Sequence, residues 1–378
     1  MFEDAIATIL KQAASEPDNA ENAGSAGKEI GRSREDRPLY AHTFGSGPLL
    51  VSLLAGCHAD EPTGPALLAR LVSHLDSLPA NDPMLRRVTW AIVPDANPDG
   101  AARNRAWFEG AGDSYDLPAY LEHVQRDLPA DDLEFGFPIE GEHGAKRPEN
   151  AAIHAFWKSF DRPFDLHASL HSLGIGYGPW FLVEESWRGR LTLLYRACAD
   201  AVHALGYRLH DIDRAGEKGF RRVAPGFSTR PDSRAMRAHF LKAKDEDGAA
   251  HFHPSSMESI RALPGGTDAD REPGRTGDSV GSIDPAGTLT LVTEMPNFLL
   301  PPENVPQILT WPDPALDAFR ARLAFWMLRL SGEERTRKEA LREIEASGIR
   351  PMPIADQMRL QWTFVCAGLD AVTRLPDS

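Results

Sequence analysis

Cysteine is scarce in this chain. Cys57, Cys198 and Cys366 stand far apart among 378 residues. Three scattered thiols exclude a disulfide framework and a cysteine-rich zinc module, and they suit a reducing compartment. Cys57 adjoins a histidine, but neighbours on an extended segment point to opposite faces, so it reads as packed rather than ligating. Long apolar runs are also missing. No stretch reaches 18 apolar residues, so none is expected to span a membrane. Basic charge is in deficit, with 41 Lys and Arg against 55 Asp and Glu and a net charge of −14. That balance argues against nucleic acid as a partner. The opening Met1-Phe2-Glu3-Asp4 is acidic and has no signal-peptide character. The expectation is a soluble, cytoplasmic protein without nucleic-acid or membrane partners.

What is present reads as an α/β protein. A chain of this length, 42% hydrophobic, makes one large domain or two ordinary ones. Ala5 to Ala14 patterns as a short amphipathic helix, and the small, polar residues 15–37 as a linker. Strands are expected over 38–44 and 48–55, with Gly45-Ser46-Gly47 as a tight turn between them. Pro62 opens a helix that carries Leu67, Leu68, Leu71, Val72 and Leu75 at helical spacing. Val88 to Val93 is a buried strand. Strand, helix and strand with apolar strands imply a parallel sheet. Residues 101–148 look irregular, and a helix runs from Pro148 through Trp157. Phe164 to His171 alternates with period two and places Asp165, His167, Ser169 and His171 on one face. A strand follows at Pro179–Val183 and a helix at Leu191–Leu205. Residues 211–287 read as loops with a short helix near Ser256–Leu263 and a mobile part over 265–282. Thr288 to Thr293 forms a strand ending at Glu294. Leu316–Leu330, Glu333–Ser347 and Ile354–Leu375 complete the chain as helices. The domain reading is 1–37 as helix and linker, 38–331 as the main α/β domain with an irregular insertion at 211–287, and 332–378 as a helical extension.

Four features fall in order, each expected at a strand end: His58 with Glu61, Asn97-Pro98-Asp99-Gly100, His171, and Glu294. Ligand sites of open α/β sheets lie beyond the carboxyl ends of the strands, where such groups can converge. Two histidines and one carboxylate leave a fourth position open on zinc, the pattern of catalytic rather than structural sites. A further carboxylate that does not bind the metal can accept a proton from water.

With these motifs, His58-Ala59-Asp60-Glu61 after an apolar strand, Asn97-Pro98-Asp99-Gly100, Ser169-Leu170-His171-Ser172 and Thr290-Leu291-Val292-Thr293-Glu294, the chain resembles the zinc carboxypeptidase (metallocarboxypeptidase) family over roughly residues 38–331. The resemblance implies a three-layer α/β/α fold around a mixed, largely parallel sheet, one Zn²⁺ per chain, and hydrolysis of a terminal amide bond. His58, Glu61 and His171 match the metal ligands, and Glu294 matches the general base. His167, in Asp165-Leu166-His167, is the alternative third ligand; His171 is preferred because a longer strand precedes it. Arg103 and Arg105 follow the Asn-Pro-Asp-Gly tetrapeptide, where the family places an arginine for the oxyanion, and the residues do not choose between them. Gln125-Arg126 is the nearest match to the family's Asn-Arg pair for a terminal carboxylate. Arg126 is therefore the candidate for that role, since a guanidinium suits a carboxylate. The family's tyrosine some two dozen residues before the general base has no counterpart, because Tyr207 is the last tyrosine. The cluster Arg221, Arg222, Arg230, Arg234 and Arg237 reads as a solvated loop, or as a contact for an acidic substrate. The expected activity is zinc-dependent removal of a C-terminal residue from a peptide. The alternatives are a deacylase of small N-acyl amino acids, resembling aspartoacylase or succinylglutamate desuccinylase, and a non-catalytic carboxypeptidase-like binding domain. The retained Glu294 argues against the last.

Overall fold

The computed structural model describes residues 2–12, 27–263, 287–301 and 308–374. The segment 265–282, read above as mobile, lies outside them. The described strands are β1 (Gly27–Arg32), β2 (Pro38–Phe44), β3 (Leu49–Ala55), β4 (Val88–Val93), β5 (Leu166–Gly176), β6 (Trp180–Val183), β7 (Ile212–Asp213), β8 (Arg222–Ala224), β9 (Phe227–Thr229), β10 (Leu289–Leu299), β11 (Leu309–Thr310) and β12 (Arg350–Pro351). Ten of them form one sheet in the order β1-β2-β4-β3-β5-β10-β6-β9-β8, with β12 paired to β10. β4, β3, β5 and β10 are mutually parallel. β1 and β2 join antiparallel at one side, and β6 joins antiparallel to β10 at the other.

Apolar residues on the two faces of these strands build two separate cores. On one face, Val51, Leu53, Trp90, Ala168, Leu170 and Leu291 pack with the helices Thr63–Ser77, Thr192–Ala204 and Ile354–Thr373. On the other, Leu50, Leu54, Ala91 and Val93 pack with Ile153 and Trp157 of the helix Pro148–Lys158 and with Ile260 of the short helix Ser256–Arg261. This is the α/β/α sandwich around a mixed, centrally parallel sheet that the sequence led us to expect.

Several local expectations are corrected. β2 and β3 are not a hairpin, because β4 lies between them. Gly47 instead packs on the Arg87–Val88 backbone, where a Cβ would come within 2.0 Å of a backbone atom. Gly27–Arg32, read as linker, is an edge strand paired to β2. Residues 101–148 include most of the helix Pro98–Phe108 and all of Leu117–His123, while 211–287 include Ser233–Lys242. Asn97, Asp116 and Asp232 cap these three through their side chains, and their polar faces hide the apolar period. β5 and β10 do not stop at His171 and Glu294 but run on to Gly176 and Leu299, with Pro296 accommodated opposite Leu173. The last helix packs against the sheet. Gln357, Gln361, Trp362 and Phe364 are all buried, and Gln361 Nε2 donates to the His171 carbonyl and to Thr293 Oγ1.

Candidate metal centre

The site lies where β3 ends and β5 continues. Ala55 is the last β3 residue paired to β5, opposite Leu170, so His171 is the first residue beyond that pairing. Gly56 then turns the chain with φ +75, a conformation that favours glycine. Gly64, in the first turn of the following helix, sits so close that a Cβ would lie 2.6 Å from the Leu170 carbonyl oxygen. This close approach carries Glu61 over the β5 backbone, where Ser172 N–H donates to Glu61 Oε2 at 3.1 Å.

The three side chains meet there. His58 Nδ1 is 2.8 Å from Glu61 Oε1, His171 Nδ1 is 2.9 Å from Glu61 Oε2, and the two Nδ1 atoms are 3.2 Å apart. Two donors at 2.0–2.1 Å from a tetrahedral ion are about 3.3 Å apart, so the set is close to the spacing a zinc ion needs. Glu61 and His171 are buried, while the His58 side chain is 34% exposed. Electrostatics point the same way. Burial lowers the His58 pKa, but Glu61 and Asp132 outweigh it and raise it to about 9. Burial likewise opposes a charged His171, yet Glu61 and Glu134 hold its pKa well above the ordinary value. Glu61 is buried, and the two imidazoles still keep its carboxyl far below the usual range. The cluster calls for positive charge, which a divalent cation supplies in place of the protons it displaces.

Glu294 lies on the strand next to His171 and in register with it. Burial, then the Glu61 charge, raises its pKa to about 8, against the opposing pull of His171, His58 and Arg126. Arg126 Nε donates to buried Asp60 at 2.6 Å, and its side chain is 62% exposed. The loop carrying it is tied to the helix Pro98–Phe108 by Asn104, which donates to Gln125 O and accepts from Gln125 N. The Asn-Pro-Asp-Gly tetrapeptide begins that helix. Asn97 Oδ1 accepts from Gly100 N–H at 3.0 Å, and a Cβ on Gly100 would lie 2.6 Å from Ala59 Cβ. The tetrapeptide therefore seats a helix against the loop that bears His58. Arg103 turns to Asp127 at 2.6 Å and Glu35 at 3.1 Å. Arg105 helps line a cavity of about 520 Å³ that His58, Glu61, Asp95 and Tyr115 also border.

His167 is not brought to the cluster. It is buried in mid-sheet with Nδ1 3.0 Å from Ser52 Oγ and its ring edge-on to Trp157. Burial lowers its pKa to about 3, leaving a neutral, packed imidazole. The arginine cluster is dispersed into ion pairs, Arg222 with Asp211 at 2.7 Å and Arg230 with Glu184 at 2.8 Å. Two acidic residues at the site were missed. Asp132 Oδ1 is 3.7 Å from His58 Nε2, and Glu134 Oε2 is 3.5 Å from His171 Nε2. They lie in a charged, aperiodic stretch that offers no motif.

The family model described as zinc carboxypeptidase matches residues 25–177. Among solved structures, a provisionally assigned metallopeptidase of Shewanella amazonensis is 14% identical, with 97% of this chain and 92% of that one covered and a TM-score of 0.48. Carboxypeptidase A of Helicoverpa armigera is 12% identical over 98% of this chain and 79% of its own, with a TM-score of 0.43. A metallo-carboxypeptidase of Burkholderia cenocepacia is 15% identical over 98% and 68%, with a TM-score of 0.38. The match over 25–177 contains His58, Glu61, the Asn97–Gly100 tetrapeptide and His171, so over that part of its length the chain is similar to the zinc carboxypeptidase family of metallopeptidases.

Proposed function

We propose that the protein hydrolyses amide bonds with one zinc ion held by His58, Glu61 and His171, and that it removes C-terminal residues from peptides. The observation that carries this reading is the meeting of the three donors within 4.8 Å of one another, with Glu294 in register on the adjoining strand. Bound there, zinc supplies a Lewis acid that activates water and polarises a carbonyl. Glu294 takes a proton from the attacking water and returns it to the leaving amine, as one carboxyl group can do in turn. Burial raises its proton affinity, so the ionised carboxylate is a stronger base toward water and, once protonated, holds the proton until the amine leaves. Arg126, fixed through Nε by Asp60 and exposed at its outer end, receives the substrate's terminal carboxylate. Arg105 lines the cavity that His58 and Glu61 also border, which favours it over Arg103 as the arginine for the oxyanion.

The zinc-loaded protein should be tested on three substrate sets: peptides with a free C-terminus, the same peptides amidated, and small N-acyl amino acids. Release of the terminal residue from free-acid peptides alone is the expected result. Turnover of N-acyl amino acids without peptide cleavage would replace the reading with a deacylase, and no turnover of any set would contradict catalysis.

A further inference from the structure

The metal reading leaves one buried group unexplained. Glu134 is 4% exposed. Its Oε1 accepts from Ser256 N–H at 2.9 Å and from Ser256 Oγ at 2.8 Å, whereas Oε2 is buried without a hydrogen-bond partner among the described residues. Burying an unpaired carboxylate oxygen is costly. That oxygen faces His171 Nε2 across 3.5 Å.

We infer that Glu134 is the positioning carboxylate of His171, held in place by Ser256 and fixing the tautomer that presents Nδ1 to the metal. The inference rests on the reading that His171 is a ligand. A neutral imidazole that offers Nδ1 to a cation must carry its proton on Nε2, and His171 directs Nδ1 to Glu61 and His58. The Nε2 proton then needs an acceptor in a buried place. A carboxylate meets that need and also raises the basicity of the ring, as partners behind metal-binding histidines do. Ser169 Oγ, 2.8 Å from Nε2, is the competing acceptor. It is uncharged and can donate as readily as accept, so by itself it does not choose between tautomers. Ser256 begins the helix Ser256–Arg261, so the 211–287 segment, expected as an irregular insertion, reaches the metal centre through Glu134.

Glutamine at 134 keeps the size but has one acceptor oxygen. If that oxygen serves Ser256, the amide NH₂ faces the Nε2 proton, and His171 is pushed toward the tautomer that blocks Nδ1. Zinc affinity should be measured by chelator competition at fixed pH on the full chain, with the His171 tautomer read by long-range ¹H–¹⁵N correlation. Glu134→Gln should weaken zinc binding roughly 10–100-fold and reduce the Nε2–H signature of the zinc-bound wild type. Ser256→Ala, a milder change, should act in the same direction and less. Wild-type affinity in Glu134→Gln would overturn the proposal, as would a loss confined to Ser169→Ala. The Cys57 thiol lies within 4.8 Å of the Glu134 and His171 ligand atoms, so two zinc ions per chain, one of them lost in Cys57→Ser, would make Glu134 a ligand and overturn it as well. Full zinc affinity in His171→Ala would instead remove the reading on which the proposal rests.

Discussion

Trp362 tests whether the C-terminal helix belongs to the body that holds the site. Its side chain is 1% exposed, its ring stacks on Trp90 with centroids 6.1 Å apart, and its Nε1 donates to the Phe2 carbonyl at 2.7 Å. Truncating a buried tryptophan to alanine costs about 3–5 kcal/mol, and the lost hydrogen bond places Trp362→Ala toward the upper end. At ~2.1 cal/mol/K per residue, a chain of this length unfolds with an entropy of about 0.8 kcal/mol/K, so the midpoint should fall by roughly 4–6 °C. Leu328, 71% exposed on the helix Pro314–Leu330, is the control. Leu328→Ala should change stability by no more than about 0.5 kcal/mol. Thermal and urea unfolding of both variants, with zinc content measured at low temperature, makes the comparison. If Trp362→Ala unfolds with the wild-type midpoint, the helix is not packed as described.

The remaining predictions concern the site. His58→Ala should lose the roughly one zinc per chain that a three-ligand site holds, as read by metal analysis of purified protein; full occupancy would place the ion elsewhere. His171→Ala should lose zinc, whereas His167→Ala should keep it and lose stability, because His167 touches Ser52 and Trp157 rather than the cluster; the reverse outcome would exchange their roles. Arg126→Ala should raise KM for free-acid peptides by roughly 10–100-fold, the worth of a hydrogen bond to a charged group. An equal rise for amidated peptides would show that Arg126 does not read the carboxylate.

The central strands, the main helices and the three converging donors were legible because each left a local mark. The apolar run of β3 stops at Gly56, and the period-two stretch of β5 places His167 and His171 on one face. What separates those two histidines is not local. Only the pairing of β5 with the shorter β3 shows that His171 clears the neighbouring strand while His167 lies under the helix Pro148–Lys158. The strand ends were misjudged for a related reason: Glu294 and His171 sit inside long strands, and His171 clears β3 only because β3 ends early, at Ala55. Asp60, Asp132 and Glu134 act through residues far along the chain, so spacing could not reveal them. The role of Gly100 was hidden too, because it depends on contact with Ala59, 41 positions earlier in the sequence.

The most direct test of catalysis is Glu294→Gln, assayed for zinc content and for hydrolysis on one preparation. The substitution keeps the side-chain size and the β10 pairing but cannot accept the proton. Loss of a general base is typically worth ~10²–10⁴ in rate, so hydrolysis should fall by at least about 100-fold while zinc content stays at the wild-type value. Turnover at the wild-type rate would contradict the account. Loss of zinc would also contradict it, by making Glu294 a ligand and leaving the base unassigned.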